Sequence, residues 1–250
     1  MTLGFLYYCN AALFRDQLAS WSAWPTQLRR QSFFLVVDDG SPTGADAAVQ
    51  LSPTLLHRLR ISICRVQQNL AWNIGGARNL IFAFAPTEYV LMLDMDVVVP
   101  VAFAAKLPLL IDAIRTIEQR DRKSKVLTYF PRKGARPHPA VMLLRRATYW
   151  SAGGCDEDFV GSYGVTDVHF RWRASRTGNI TLHSQYDQPL AKDLPELAQT
   201  RIRLDSACPP LVRNATRNKL LLLAKQSGRV RWSSEYLRFT WVFAAGAGTA

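Results

Sequence analysis

Short apolar runs of strand length alternate with helix-like segments along the first hundred residues. The runs cover residues 3–9, 33–37, 59–66 and 88–99. Between the first two runs, Leu13, Leu18, Trp21 and Trp24 recur at spacings that predict an amphipathic helix. The last run is apolar almost throughout, as in a central strand covered on both faces. Because a strand–helix–strand order is typical of a parallel sheet, we predict a doubly wound α/β fold with a crevice at the carboxyl ends of its strands.

The same alternation continues to about residue 200. We predict helices over 103–120 and 166–176, and strands over 125–130 and 140–146. After residue 200 the composition becomes basic, and a large part of the net charge of +12 lies at 201–238. The sequence therefore predicts one domain over 1–200 and a basic helical extension, 201–250, that packs on the same domain.

The cysteines lie far apart, at positions 9, 64, 155 and 208, and no pair has the spacing of a zinc site. We expect four reduced thiols and a cytoplasmic protein. The apolar stretch 80–105 contains Glu88, Asp94 and Asp96, so it is expected to be a buried element rather than a membrane span.

Acidic residues follow two of the predicted strands. Asp38 and Asp39 end the second run, and Asp94 and Asp96 lie inside the fourth. Buried carboxylates are unfavourable unless a ligand or a cation compensates them. Residues i and i+2 of a strand share a side, so Asp94 and Asp96 suit a ribose hydroxyl and a divalent ion that bridges phosphates. The sequence at 38–41 is also typical of a plain turn.

Several motifs occur together and in order along residues 3–185. They are V-V-D-D-G-S at 36–41, N-x-G-G-x-R-N at 73–79, L-D-x-D at 93–96, S-A-G-G-x-D-E-D-F at 151–159 and G-x-x-D-V-x-F-R-W-R at 164–173. In this combination the chain resembles the inverting glycosyltransferases of family 2. The resemblance implies a GT-A fold: a single, mixed, mostly parallel sheet flanked by helices. It also implies a nucleotide-binding half at about 1–100 and an acceptor half at about 101–200.

The resemblance assigns roles on the donor side of the site. It places Asp39 at the nucleobase, most often uracil, and Asp94 at the ribose and phosphate. Asp38 and Arg78 complete the predicted donor-binding set. The resemblance places Mn²⁺ or Mg²⁺ at Asp96, with His183 as a further candidate ligand; a structural histidine is the alternative at position 183.

On the acceptor side, Asp167 matches the general base of the family. Relatives have two acids here, whereas this chain has Thr166 before Asp167. The alternative is that Thr166 caps a helix and Asp167 complements its dipole. The predicted acceptor-binding residues are Gly154, Asp156 and Glu157, for which a tight turn with solvated acids is the alternative.

We therefore predict a metal-dependent, inverting glycosyltransferase that moves a sugar from a nucleotide-diphosphate sugar, with a UDP-sugar favoured, to a hydroxyl of a glycan or glycoconjugate. The basic extension allows contact with an anionic membrane. A nucleotidyltransferase and an inactive sugar-nucleotide-binding relative are alternatives, although residues 10–20 lack the glycine-rich loop of the former. Nucleic-acid binding is disfavoured because the acids at the strand ends would repel phosphates.

Overall fold

A computed structural model describes residues 1–121, 124–131, 137–184, 197–199, 205 and 208–246. In this part of the chain the helices are α1 (Ala11–Ser22), α2 (Thr26–Gln31), α3 (Pro53–Leu59), α4 (Ile74–Phe84), α5 (Val101–Arg120), α6 (Arg146–Ser151), α7 (Thr166–Arg176) and α8 (Thr216–Gln226). The strands are β1 (Thr2–Tyr7), β2 (Phe33–Asp38), β3 (Ile61–Val66), β4 (Tyr89–Asp94), β5 (Val97–Val98), β6 (Lys125–Pro131), β7 (Pro137–Arg145), β8 (Ile180–Ser184), β9 (Ala198–Gln199) and β10 (Trp241–Gly246).

Eight of the described strands form one sheet in the order β10-β3-β2-β1-β4-β7-β6-β8. Strands β3, β2, β1 and β4 are parallel neighbours, while β7 and β10 run antiparallel to theirs. The chain moves outward from β1 to β3 and then returns to the other side of β1 as β4. The sheet therefore has its topological switch point between β1 and β4, where α/β proteins bind their ligands. The predicted fold, a single mixed and mostly parallel sheet, is confirmed.

Helices cover both faces of the sheet. On one face, α1 and α5 contribute to a core in which Trp21 stacks on Phe34 at 4.4 Å between ring centroids. On the other face, α4, α6 and α7 surround a second core, where Phe82 stacks on Tyr149 at 3.7 Å. Because both faces are covered, the central strands are apolar in nearly every position.

The predicted strand over 88–99 is interrupted. Strand β4 ends at Asp94, a turn follows at 95–96, and β5 leaves the main sheet to pair with β9. The side-chain amide of Gln17 on α1 donates to the carbonyls of Met95 (2.9 Å) and Val97 (2.8 Å) and thereby holds this turn. Apart from Asp94 and Asp96, the segment 89–99 is as apolar as a buried strand, so its composition did not reveal the turn.

The C-terminal part of the chain also enters the sheet. Strand β10 pairs antiparallel with β3 and forms an edge of the sheet, which the sequence did not predict. Of the basic region, residues 200–204, 206–207 and 247–250 lie outside the described residues. Residues 132–136, between β6 and β7, also lie outside the described residues.

Cys9 and Cys208 form a disulfide that joins the end of β1 to the C-terminal segment, while Cys64 and Cys155 are free and buried. The expectation of four reduced thiols is wrong. A bond between residues 199 positions apart has no spacing signature in the sequence. Disulfides are typical of oxidising compartments, which argues against the expected cytoplasmic location. Among the described residues, no helix is both long enough and apolar enough to cross a membrane.

Candidate active site

The acids predicted from the strand ends lie at the switch point of the sheet. Asp38 ends β2, Asp39 follows it, and Asp94 ends β4. These strands flank β1 on either side and run parallel to it. The carboxyl ends of parallel strands meet at one edge of the sheet, so the structure brings the predicted donor-side acids to a common crevice.

Asp39 is buried and has one side-chain partner in Asn73, whose Nδ2 donates to Asp39 Oδ1 at 2.9 Å. Burial raises the pKa of Asp39 to about 7, and the hydrogen bond from Asn73 opposes this shift. Asn73 immediately precedes α4, so the start of this helix positions the carboxylate. Such a carboxylate can accept a hydrogen bond from a nucleobase N–H.

Asp38 has a different role from the predicted one. Its Oδ1 accepts from the backbone N–H of Ser41 at 2.9 Å, and its Oδ2 accepts from that of Ala47 at 2.7 Å. The residue is fully buried, and burial raises its pKa. Both oxygens are thus occupied in shaping the 41–47 loop, so Asp38 supports the donor side of the crevice rather than contacting a ligand.

Arg78 joins the donor side of the site to the predicted base. Its guanidinium is buried, with Nη2 3.2 Å from Asp94 Oδ1 and Nη1 paired with the carboxylate of Asp167. Both carboxylates are partly exposed. One buried cation therefore offsets the repulsion between two acids that come from β4 and from the first turn of α7.

A glycine allows these two helices to approach each other. A β-carbon added at Gly75 in α4 would lie 3.2 Å from Cγ2 of Thr166, the first residue of α7. The residue that caps α7 is Val165, in a left-handed conformation with φ 61°, and not Thr166. Close contact between the two helix starts is what brings Arg78 within reach of Asp167.

The predicted metal ligands Asp96 and His183 lie at different places in the fold. Asp94 ends β4 and Asp96 lies in the turn after it, whereas His183 lies on β8, three strands away from β4. The strand register places His183 level with Leu91, through Thr128 and Leu143. Three strand spacings amount to about 14 Å. The structure therefore does not bring His183 to Asp96, and within the described ranges no three His, Cys, Asp or Glu residues form a metal cluster.

The predicted acceptor-binding acids face the C-terminal segment instead. Asp156 is buried, and its Oδ2 lies 2.8 Å from Lys225 Nζ and accepts from the backbone N–H of Ser233 at 3.1 Å. Glu157 is also buried and accepts from the backbone N–H groups of Leu237 (2.8 Å) and Arg238 (3.0 Å). These acids hold residues 225–238 on the domain, so they are not available to an acceptor.

Gly154 serves the same loop through its backbone. It adopts φ 57°, and a β-carbon there would lie 3.0 Å from Asn79 Oδ1. Asn79 in turn donates to the carbonyl of Cys155 (3.0 Å) and to Glu157 Oε1 (2.7 Å). Gly154 is therefore needed for packing between α4 and the 153–157 loop, and the acceptor role predicted for it gains no support.

The sequence did not identify Asn218 or Lys225 as important residues. Asn218 on α8 is buried, and its Nδ2 lies within hydrogen-bonding distance of the carbonyls of Phe159, Ser162, Tyr163 and Gly164. These carbonyls belong to the loop that leads into α7. A basic, amphipathic α8 was recognised from its pattern, but its partners lie more than 50 positions away in the sequence.

A cavity of about 570 Å³ lies between the start of α4, the 157–160 loop and the C-terminal segment. It is lined by Leu70, Asn73, Glu157, Asp158, Val160, Arg217, Leu221, Arg238 and Phe239. The lining contains none of Asp39, Asp94, Asp96 and Asp167, so this cavity is not the crevice that holds the candidate catalytic groups. Asn73 borders the cavity and also bonds to Asp39.

Comparison with solved structures defines the class of fold. The structure of S. aureus TarS 1–349 in complex with UDP-GlcNAc superposes with a TM-score of 0.62 at 14% identity, over 94% of this chain and 68% of that one. The catalytic domain of Drosophila β1,4-galactosyltransferase 7 in complex with xylobiose superposes with a TM-score of 0.51 at 12% identity. The match covers 94% of this chain and 82% of that one. Another structure of TarS 1–349 superposes with a TM-score of 0.55 at 15% identity. The match covers 74% of this chain and 60% of the TarS chain. At these identities the likeness shows the fold alone, which is the GT-A fold.

Comparison with protein families is more specific. The sequence profile of glycosyl transferase family 2 matches residues 28–160, more than half of the chain. The protein therefore belongs to this family. No curated protein sequence matches it.

Proposed function

We propose that this protein is a metal-dependent, inverting glycosyltransferase that transfers a sugar from a nucleotide-diphosphate sugar, with a UDP-sugar favoured, to a hydroxyl of a glycan or glycoconjugate. The observation that supports it best is the buried Arg78 between Asp94 and Asp167. This arrangement joins an acid at the donor-binding end of β4 to a carboxylate suited to proton abstraction. TarS, a structural neighbour, was solved with the nucleotide sugar UDP-GlcNAc, which is consistent with a donor of this class.

Asp39 and the turn after β4 form the donor-binding part of the proposal. Asp39 accepts a hydrogen bond from the base, and Asp94 binds the ribose and phosphate. Asp96, together with Asp94, would hold Mn²⁺ or Mg²⁺. Such ions are often bound by one or two carboxylates plus phosphate oxygens and water, so the two acids fit this chemistry without a third protein ligand. When bound, the ion neutralises negative charge on the departing diphosphate.

Asp167 is the proposed general base. It takes the proton from the acceptor hydroxyl while the hydroxyl oxygen attacks the anomeric carbon and the bond between that carbon and the diphosphate oxygen breaks. One base and one displacement give inversion. Asp167 lies in the first turn of α7, where backbone N–H groups favour a carboxylate, and Arg78 fixes its orientation.

Two substitutions test the proposal. Asp167→Asn should keep the affinity for the donor and lower the rate of transfer by about 10²–10⁴-fold, the usual contribution of a general base. Asp96→Ala should abolish the stimulation of transfer by Mn²⁺ or Mg²⁺. Asp112→Asn, an exposed acid on α5, is the matched control and should behave as the wild type.

The readouts are donor affinity by calorimetry and transfer by release of the nucleotide diphosphate. Full transfer in the presence of EDTA would contradict the metal assignment. An unchanged turnover number in Asp167→Asn would remove Asp167 as the base. Donor binding without transfer in the wild type, across a panel of acceptors, would favour the inactive relative instead.

A further inference from the structure

The solvent-facing side of α7 is basic and aromatic. This side is formed by Val168, by Arg171 and Trp172 three and four residues after it, and by Ser175 and Arg176 three and four residues after Trp172. All five are exposed or partly exposed. The guanidinium of Arg176 lies 4.7 Å from the centre of the Trp172 ring. Asp167 is the only acid in the helix, and its carboxylate is paired with the buried Arg78.

A second segment extends this face. Residues 229–232 are Arg229, Val230, Arg231 and Trp232, and the Trp232 ring meets the Trp172 ring at 5.3 Å between centroids. Val168, Val230 and Trp232 are exposed by 42%, 38% and 36%. We call the combined region of Val168, Arg171, Trp172, Arg176, Arg229, Val230, Arg231 and Trp232 the basic aromatic surface.

The backbone of the second segment is fixed on both sides of Trp232. The carbonyl of Arg231 accepts from Lys225 Nζ at 2.8 Å, and the N–H of Ser233 donates to Asp156 Oδ2 at 3.1 Å. Arg173 lies beneath the surface, with its guanidinium 4.8 Å from the Trp232 ring. The surface is therefore a preformed part of the fold rather than a loose tail.

From this combination we infer that the basic aromatic surface docks on an anionic phospholipid membrane. Tryptophan is enriched at membrane interfaces, and arginine attracts anionic headgroups while its aliphatic stem contacts apolar material. Exposed Val168 and Val230 gain free energy by entering the headgroup region but gain nothing from a nucleic-acid backbone. The eight residues of the surface include four arginines and no acid, so its positive charge complements an anionic leaflet.

The position of the surface relative to Asp167 gives the docking a role, which rests on the proposed function. Val168 follows Asp167 directly and is the first residue of the surface along α7. A membrane in contact with this helix face therefore lies close to Asp167, which the acceptor hydroxyl must reach. The acceptor class that fits is a glycan carried on a lipid.

The test uses the full chain with vesicles of phosphatidylcholine alone and vesicles of equimolar phosphatidylcholine and phosphatidylglycerol, analysed by flotation. The wild type should bind only the anionic vesicles tightly, and added salt should weaken the binding. Each arginine near the surface contributes about fivefold, so Arg176→Glu combined with Arg231→Glu should weaken binding by at least about 25-fold. Arg30→Glu combined with Arg120→Glu is the control of equal charge change, and both of its sites are exposed and lie on α2 and α5.

The outcomes separate this inference from the proposed function. Equal binding to both kinds of vesicle, no binding, or equal weakening in the two double variants would overturn it. Binding of single-stranded DNA through Arg176 and Arg231 in place of vesicles would overturn it as well. Arg176→Glu with Arg231→Glu should keep its melting temperature and its transfer to soluble sugar acceptors, and should lose transfer only to a vesicle-borne acceptor. Vesicle binding in a protein that transfers to no acceptor would contradict the proposed function and leave the docking surface intact.

Discussion

Lys225 is a buried cation whose removal has a predictable cost. Its Nζ lies 2.8 Å from Asp156 Oδ2 and 2.7 Å from Asp158 Oδ2, and its side chain is fully buried, as is that of Asp156. Lys225→Met keeps most of the aliphatic volume and removes the charge. Asp156 then remains as a buried carboxylate without its cation, although the N–H groups of Asp158 and Ser233 still donate to it.

The free energy of unfolding should fall by about 3–5 kcal/mol, as when one partner of a buried ion pair is removed. Asp158 contributes less of this loss because its side chain is 32% exposed and also pairs with Arg238 at 2.9 Å. The total free energy of unfolding of such a domain is about 5–15 kcal/mol, so the variant should still fold but with markedly lower stability.

Urea denaturation followed by circular dichroism measures the change directly. Lys219→Met is the matched control, because Lys219 is exposed on the same helix and its replacement should change stability by less than about 0.5 kcal/mol. Adding Asp156→Asn to Lys225→Met should recover part of the loss, because the buried carboxylate charge disappears. The recovery should be incomplete, because the single amide oxygen can accept from only one of the N–H groups of Asp158 and Ser233, which donate to different oxygens of Asp156. A loss below about 1 kcal/mol in Lys225→Met, or no recovery in the double variant, would refute the electrostatic explanation.

Three further predictions concern pH and redox state. Because the pKa of Asp39 is raised to about 7, donor affinity measured by calorimetry should fall as the pH drops below 7, by up to about tenfold per pH unit. The pKa of His169 is lowered to about 4 by burial, so folding stability should decline as the pH falls from 6.5 towards 4, by up to about 3 kcal/mol. Reduction of Cys9–Cys208 should lower stability by about 3–5 kcal/mol, which denaturation with and without dithiothreitol measures.

Each of these predictions has a matched variant. Asp39→Asn should bind the donor with little dependence on pH, and an unchanged profile would mean that another group titrates. Folding stability falls with pH because His169 stays neutral in the folded protein while the same residue in the unfolded chain takes up a proton first. His169→Leu should therefore make stability depend less on pH between 6.5 and 4. Cys9→Ser with Cys208→Ser should be insensitive to dithiothreitol, and a count of four free thiols in the native protein would exclude the disulfide.

Local sequence patterns were sufficient for the parallel part of the sheet and for the acids at its edge, but not for β10. Asp39 and Asp94 were recognised because an acid after an apolar run is unfavourable without a reason, and this argument needs only neighbouring residues. Asp167 followed from the resemblance of its motif to the family. The single strand predicted over 88–99 failed because Gln17, which holds the turn, is 78 and 80 positions from the carbonyls that it binds.

The acceptor assignments show the limit of such patterns. An acidic, glycine-containing loop is equally suited to binding a ligand and to binding another part of the chain. In this protein Glu157 accepts from two backbone N–H groups 80 and 81 positions later and from Asn79, 78 positions earlier. Lys225 was visible only as one of many basic residues, because nothing in its surroundings distinguishes a buried lysine from a solvated one.

The contacts between the 153–157 loop and residues 225–238 also determine when this protein becomes complete during synthesis. Asp156 leaves the ribosome about 70 residues before Lys225, and Glu157 about 80 residues before Arg238; these two cations offset the charges of the acids. During that interval the parallel strands β1 to β4 can already pair, whereas the loop beside the candidate base carries two acids that favour water over burial. Closure of the loop on the helix that bears Asp167 is therefore a late, long-range step in folding. A nascent chain with an assembled sheet would therefore still lack the contacts that complete the loop beside the candidate base.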